Sequence, residues 1–189
     1  MSAICQPKLF TVEEYLEGEL LTPEKHEFLG GEVHSTAGAG NRHNQVATNL
    51  TGLLFTQLRG KRCRPFNSDT KVRIELFNQT RFYYPDALVV CDRNRDDDQW
   101  QDRPVVVIEV LSESTRRTDL GEKREAYLTI PTLKVLLLVG PGEAAATLYR
   151  RGPSGGFTRE DYAGAESLIS VPEVEIEFLL GEVYEGLEE

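Results

Sequence analysis

A mixed α/β fold is predicted by three features of this sequence. Two short runs of β-branched and aliphatic residues, 87–91 and 105–111, have the length and composition of buried strands. From His43 to Leu58, the apolar residues Val46, Leu50, Leu53, Leu54 and Leu58 fall at helical spacing, and a second helix ends before Pro131. Hydrophobic residues make up 40% of the 189 positions and charged residues 28%, enough apolar surface for one folded domain spanning 1–189.

Taken in order, Thr11 followed by Glu14 is a capping-box pattern for a short first helix. The stretch from His26 to His34 reads as a hairpin with Gly30-Gly31 at its turn. Asn41 is placed to cap the helix that carries His43, and Gly60 to end it. Strands are expected near 62–66 and 70–76, followed by the two central runs. Between those runs, 92–103 is dense in Asp and Arg and reads as an exposed loop. Thr118 or Asp119 caps a helix reaching Ile130. Strands follow over 133–139, 145–150, 156–162 and 167–176, and a short amphipathic helix closes the chain over 178–184. The first part is thus a helix, hairpin, helix and strand leading into the central sheet.

The run Val135–Val139 is strand-sized, and no apolar run approaches the roughly 20 residues of a membrane span, so no membrane partner is expected. The N-terminus lacks a basic region followed by an apolar core, and Cys5, Cys63 and Cys91 form no CxxC pair. Reduced thiols and a cytoplasmic location are the expectation. Net charge is −10, which opposes general attraction to nucleic acid. A polyanion would have to meet the basic islands at Lys61-Arg62-Cys63-Arg64 and Arg116-Arg117…Lys123-Arg124.

The chemical clue is a carboxylate in the wrong place. Glu109 interrupts an apolar strand, where it loses hydration and needs a cation, hydrogen bonds or a proton to compensate. Asp86 stands at the mouth of the neighbouring strand. Two carboxylates at one sheet end can hold a divalent metal that activates water and neutralises phosphoryl charge, with a lysine beside them and the Val110 carbonyl available. Lys123, on the next helix, is the candidate lysine, and Tyr127 lies one helical turn beyond it.

These residues carry a resemblance. Pro85-Asp86, then Ile108-Glu109-Val110-Leu111-Ser112-x-Ser114-Thr115, then Asp119-Leu120-x-x-Lys123-x-x-x-Tyr127 and a hydrophobic strand, is similar to the Uma-two family of endonucleases, within the PD-(D/E)XK restriction-endonuclease-like superfamily. Tyr15-Leu16, the stretch 26–32 and the loop to His43 agree, so the resemblance runs from about Thr11 to Tyr184. It implies a restriction-endonuclease-like core with Asp86 and Glu109 as ligands for Mg²⁺ or Mn²⁺, DNA as substrate, and a homodimer placing two sites on two strands. The superfamily pattern has its lysine two residues after the second acid, where Leu111 stands; Lys123 would be its migrated equivalent. Many members carry an aromatic pair and an Asp at the end of the strand after that helix, where this chain reads Val135–Gly140. Glu27 matches a family acid that completes a metal shell or orients water, and Asp69 stands where relatives often have Asp.

Each residue also has a plainer reading. Asp86 would be a strand-entry turn residue, Glu109 a buried partner of Lys123 or Arg124, Lys123 a surface lysine and Tyr127 a packing residue. His43 would be a capping-turn residue rather than a base, and Arg116-Arg117 a solvated turn rather than a phosphate guide. The rival functions are accordingly a catalytically silent protein that keeps the fold for binding or scaffolding, and a metal-dependent hydrolase of a small phosphorylated substrate.

Overall fold

The computed structural model describes residues 8–36, 38–112 and 119–187. Arg116, Arg117, Ser114 and the candidate cap Thr118 lie outside the described residues. Helix α1 (Val12–Glu19) opens with the expected reciprocal cap, in which Thr11 accepts from the Glu14 N–H and the Glu14 carboxylate accepts from the Thr11 N–H. The hairpin β1 (His26–Leu29) and β2 (Glu32–Ser35) turns at Gly30 and Gly31, both at positive φ (63° and 113°), which residues with a Cβ rarely adopt. Helix α2 (Asn41–Leu58) starts one residue earlier than expected. Gly40 is its cap, without a side-chain bond, and Asn41 is already helical.

Next come β3 (Arg64–Asn67), β4 (Lys71–Glu75), β5 (Thr80–Tyr83), β6 (Ala87–Val90), β7 (Trp100–Gln101) and β8 (Pro104–Val110). Two of these correct the sequence reading. β5 is a separate strand before Pro85, and the charged stretch after Cys91 is not wholly loop, because β7 pairs in parallel with β4. The helix expected from 118 onward begins as a wide π-type turn, Asp119–Lys123, whose Gly121 has non-helical φ and ψ of −111° and −106°. Only then does it become helix α3 (Arg124–Leu128). β9 (Val135–Val139), β10 (Ala145–Arg151) and β11 (Phe157–Ala163) follow as expected. The last predicted strand is instead the hairpin β12 (Leu168–Val171) and β13 (Ile176–Leu179), joined through a 3₁₀ turn, Pro172–Val174. The closing helix is a 3₁₀ turn, Leu180–Tyr184.

Two main sheets result. One has the order β11-β10-β9-β8-β6-β3, and the other β2-β1-β5-β4-β7. Within the first, β8 and β9 are parallel and the other pairs antiparallel, which makes the sheet mixed. Alternation along β8 and β9 sends side chains to two cores. Val106, Ile108, Val110, Val135 and Leu137 pack with α2 and the β12–β13 hairpin, whereas Val107, Leu136 and Leu138 pack with α3 and the second sheet. α2 is held by Val46, Leu50, Leu54 and Leu58, all essentially buried and each worth about 2 kcal/mol of transfer free energy. Among the described residues no helix is long and apolar enough to cross a membrane.

The expectation of reduced thiols is corrected for two of the three cysteines. Cys63 and Cys91 stand opposite each other at the end of the β3–β6 ladder and are joined by a disulfide.

Candidate active site

In the antiparallel register of β6 and β8, Ala87 faces Ile108. One step further brings Asp86 opposite Glu109, so two residues 23 positions apart share one sheet end. Glu109 shares the face of Val107, towards α3 and the second sheet, whereas Asp86 is met by His43 of α2, the helix on the other face. Asp86 is fixed by the main chain: the Val110 N–H donates to its Oδ2 at 2.7 Å. On the same oxygen sits His43 Nε2 at 3.3 Å, delivered by the first turn of α2. The hydrogen bond with Asp86 raises the His43 pKa above its ordinary value, burial opposes this, and the charge of Asp86 and the Val110 backbone reinforce it.

Glu109 is almost fully buried, and its charge is compensated from α3 and the turn before it. The Tyr127 hydroxyl donates to Oε1 at 2.7 Å, and Lys123 Nζ lies 3.0 Å from the same oxygen. Lys123 also reaches Glu27 Oε1 at 3.0 Å, so one ammonium bridges a carboxylate of each sheet. Both the Lys123 and the Glu109 side chains are less than one-tenth exposed. The Tyr83 ring covers the ammonium at 5.5 Å and packs on the Tyr127 ring, 5.5 Å away. Burial first, then the charges of Glu109 and Glu27, push the Tyr127 pKa well above its ordinary value; burial also raises that of Tyr83. Tyr127 therefore remains a protonated donor at any working pH.

Of the residues singled out in the sequence, Asp86, Glu109, Lys123, Glu27, Tyr127 and His43 are gathered at this sheet end, and Val110 contributes its N–H. Asp69 is engaged elsewhere, with its exposed carboxylate 2.6 Å from Lys25 Nζ; the hydrogen bond from that lysine holds its pKa below the usual range. Lys61-Arg62-Cys63-Arg64 also stands away from the site. Arg64 pairs with Val90, at the far end of β6 from Asp86, about 13 Å by strand rise. Two residues of the site escaped the sequence reading, Tyr83 and Arg81. Both lie on β5 and alternate with the buried Phe82, a period-two signal hidden by the shortness of the strand.

The donor set fits an ion bound by two carboxylates and open to other ligands, as Mg²⁺ and Mn²⁺ accept. It does not form a closed cage: among the described residues no three His, Cys, Asp or Glu side chains are gathered tightly enough to hold a metal. Lys123 lies between Glu27 and Glu109, and His43 against Asp86.

The mixed sheet thus ends in two carboxylates on neighbouring strands, with a lysine from the turn before α3 beside the second. Comparison with known proteins identifies the family. Residues 12–180 match the model of the Uma2 family, described as "Putative restriction endonuclease", and the chain belongs to that family. It is 33% identical over 182 residues to uncharacterized protein slr1290 of Synechocystis sp. (strain ATCC 27184 / PCC 6803 / Kazusa), covering 96% of this chain and 94% of that protein. Uncharacterized protein sll1609 of the same organism is 33% identical over 142 residues, covering 74% of this chain and 79% of that one. Among solved structures, a "putative nuclease belonging to DUF820" from Anabaena variabilis ATCC 29413 superposes with a TM-score of 0.71 at 17% identity, covering 93% of this chain and 97% of that one. The fold is restriction-endonuclease-like, as the sequence predicts.

Proposed function

We propose that this protein is a metal-dependent endonuclease that hydrolyses phosphodiester bonds in DNA, with Mg²⁺ or Mn²⁺ bound by Asp86 and Glu109 and the Val110 carbonyl as a further ligand. The observation that carries this reading is the pair of carboxylates brought together at one sheet end, with the Lys123 ammonium on the second of them. A divalent ion there would polarise a phosphoryl oxygen and lower the pKa of a bound water. The chain's own groups have separate tasks. The Val110 N–H and His43 orient Asp86. Tyr127 orients Glu109. Lys123 holds the attacking water or a phosphate oxygen, and Glu27 keeps the lysine in place until substrate arrives. A homodimer would offer one such site to each strand of a duplex.

Calorimetric titration with Mn²⁺ tests the centre directly. Wild type should bind the ion and both Asp86→Asn and Glu109→Gln should lose it, with metal-dependent DNA cleavage lost in the same two variants. One observation favours a second reading, a catalytically silent binding protein with this fold. Lys123 already pairs with Glu27 and Glu109, and His43 with Asp86, so each acid has a partner within the protein. Absence of Mn²⁺ binding, even with an oligonucleotide present to supply ligands, would establish that alternative.

A further inference from the structure

Lys123 follows the least regular part of its helix. The π-type turn ends at Lys123, Gly121 within it is non-helical, and only from Arg124 does an ordinary α-helix run. Lys123 itself is helical (φ −65°, ψ −46°), but the kink at Gly121 lies two residues before it, so its placement depends on what holds that turn. An interaction from outside the helix has to hold it there.

That interaction comes from the second sheet. On β5, Arg81 pairs with Leu29 and, two residues on, Tyr83 lies in register with Glu27, so Arg81, Tyr83 and Glu27 share one face of the sheet. The Arg81 side chain is 14% exposed, and its Nη1 meets Glu122 Oε1 at 2.9 Å. Glu122 is the residue between the irregular Gly121 and Lys123. The same Nη1 donates to the Tyr83 hydroxyl at 3.2 Å, and the Tyr83 ring covers the Lys123 ammonium. One guanidinium thus holds the position before Lys123 and the ring above its charge. Among the described residues Arg81 Nε, by contrast, is buried without a hydrogen-bond partner, and the contacts of this side chain with Glu122 and Tyr83 are at the nitrogen facing the turn.

We infer that Arg81 is a positioning residue that, through Glu122 and Tyr83, aims Lys123 at Glu27 and Glu109. The importance of this aim for the reaction rests on the nuclease reading; the aim itself does not. Without the Arg81–Glu122 pair the turn is freer, and the lysine spends more time away from its two carboxylates. The Arg81 guanidinium need not touch substrate for this.

The test reads the lysine rather than the activity. The full-length protein is treated briefly with an acylating reagent, and modification is measured at each lysine by peptide mass spectrometry. Lys71, on the adjacent strand β4 and 4% exposed, is the internal control. In Arg81→Met, acylation of Lys123 should rise by about fivefold, the scale set by one charge-assisted hydrogen bond between partly buried groups, while Lys71 stays unchanged. Glu122→Gln should produce the same rise. Its side chain is about half exposed, so this variant folds even where Arg81→Met does not. Exchange of the two charges in R81E/E122R should restore much of the protection. Unchanged Lys123 reactivity in Glu122→Gln overturns the inference, and so does a parallel rise at Lys71, which would mean that Arg81 merely stabilises the sheet. Should the protein prove not to be a nuclease, these results stand unaltered. Should it be one, Glu122→Gln lowers kcat with little change in KM.

Discussion

The Tyr127 hydroxyl donates a 2.7 Å hydrogen bond to Glu109 Oε1, the oxygen that also receives Lys123, and both residues are buried. A phenol raised well above its ordinary pKa stays protonated and so remains a donor. Tyr127→Phe keeps the ring and removes only this donor. The expected cost is about 1–3 kcal/mol, because a charged acceptor is left with one partner fewer. Urea denaturation at constant m-value measures it. A cost below a few tenths of a kcal/mol would mean that water replaces the hydroxyl.

Lys123 is asked to offset two carboxylates at once, with Glu27 and Glu109 each 3.0 Å away. Lys123→Met alone should therefore destabilise more than Lys123→Met combined with Glu109→Gln, since the single change leaves like charges facing each other in a dry place. A double-mutant cycle should return a coupling of about 1–3 kcal/mol. Additive effects would show the ion pair to be energetically idle. Under the nuclease proposal, Lys123→Met also abolishes cleavage while Mn²⁺ binding survives, a combination that calorimetry with a cleavage assay can separate.

How much of this is readable from the sequence follows from which signals are local. β6, β8 and β9 are continuous apolar runs buried on both faces, and such runs declare themselves in sequence. Glu109 is conspicuous because it breaks one. β5 is not, since its four residues lie within the second sheet and mix Arg81 and Tyr83 with Phe82. Lys123 looks like any helix-surface lysine. Its burial depends on β1 and β5, which arrive from far away in the chain, and on a turn whose irregularity at Gly121 no helical periodicity foretells. Asp69 shows the converse: the family resemblance suggests the site, but the nearby Lys25 captures it.

The disulfide is hidden for a similar reason. Cys63 and Cys91 are 28 residues apart, and only the antiparallel pairing of β3 with β6 makes them neighbours. Closing a loop of that length stabilises by about 3–4 kcal/mol in the chain-entropy description. Reduction, or Cys91→Ser, should lower the denaturation midpoint accordingly. The bridge lies at the far end of β6 from Asp86, so Mn²⁺ affinity should not change. Labelling of free thiols before and after reduction checks the pairing itself: Cys63 and Cys91 should react only after reduction.

Away from the site, Arg150 ties three elements together, and its consequence is an acid limit. Its guanidinium meets Glu160 on β11 at 2.8 Å and Glu173 in the 3₁₀ turn at 2.5 Å, and it donates to the Ser170 carbonyl of β12 at 2.8 Å. The hydrogen bond from Arg150, aided by Tyr162, holds the Glu160 pKa below the usual carboxylate range against the effect of burial. A carboxyl with a depressed folded-state pKa binds fewer protons folded than unfolded, so its contribution is complete above the unfolded value of about 4.3. It fades as pH falls through the folded value. Arg150→Met should therefore destabilise the protein at neutral pH, and the difference from wild type should shrink as the medium is acidified below about pH 4. Glu160 is about one-third exposed, which screens its pair with Arg150, so the pH-dependent part of the destabilisation should be the smaller one. The larger, pH-independent part comes from the Ser170 carbonyl, which is left without its guanidinium donor at every pH. Urea midpoints for both proteins between pH 3 and pH 7 measure the two parts separately, and a difference that grows on acidification would show that Glu160 is not held by Arg150.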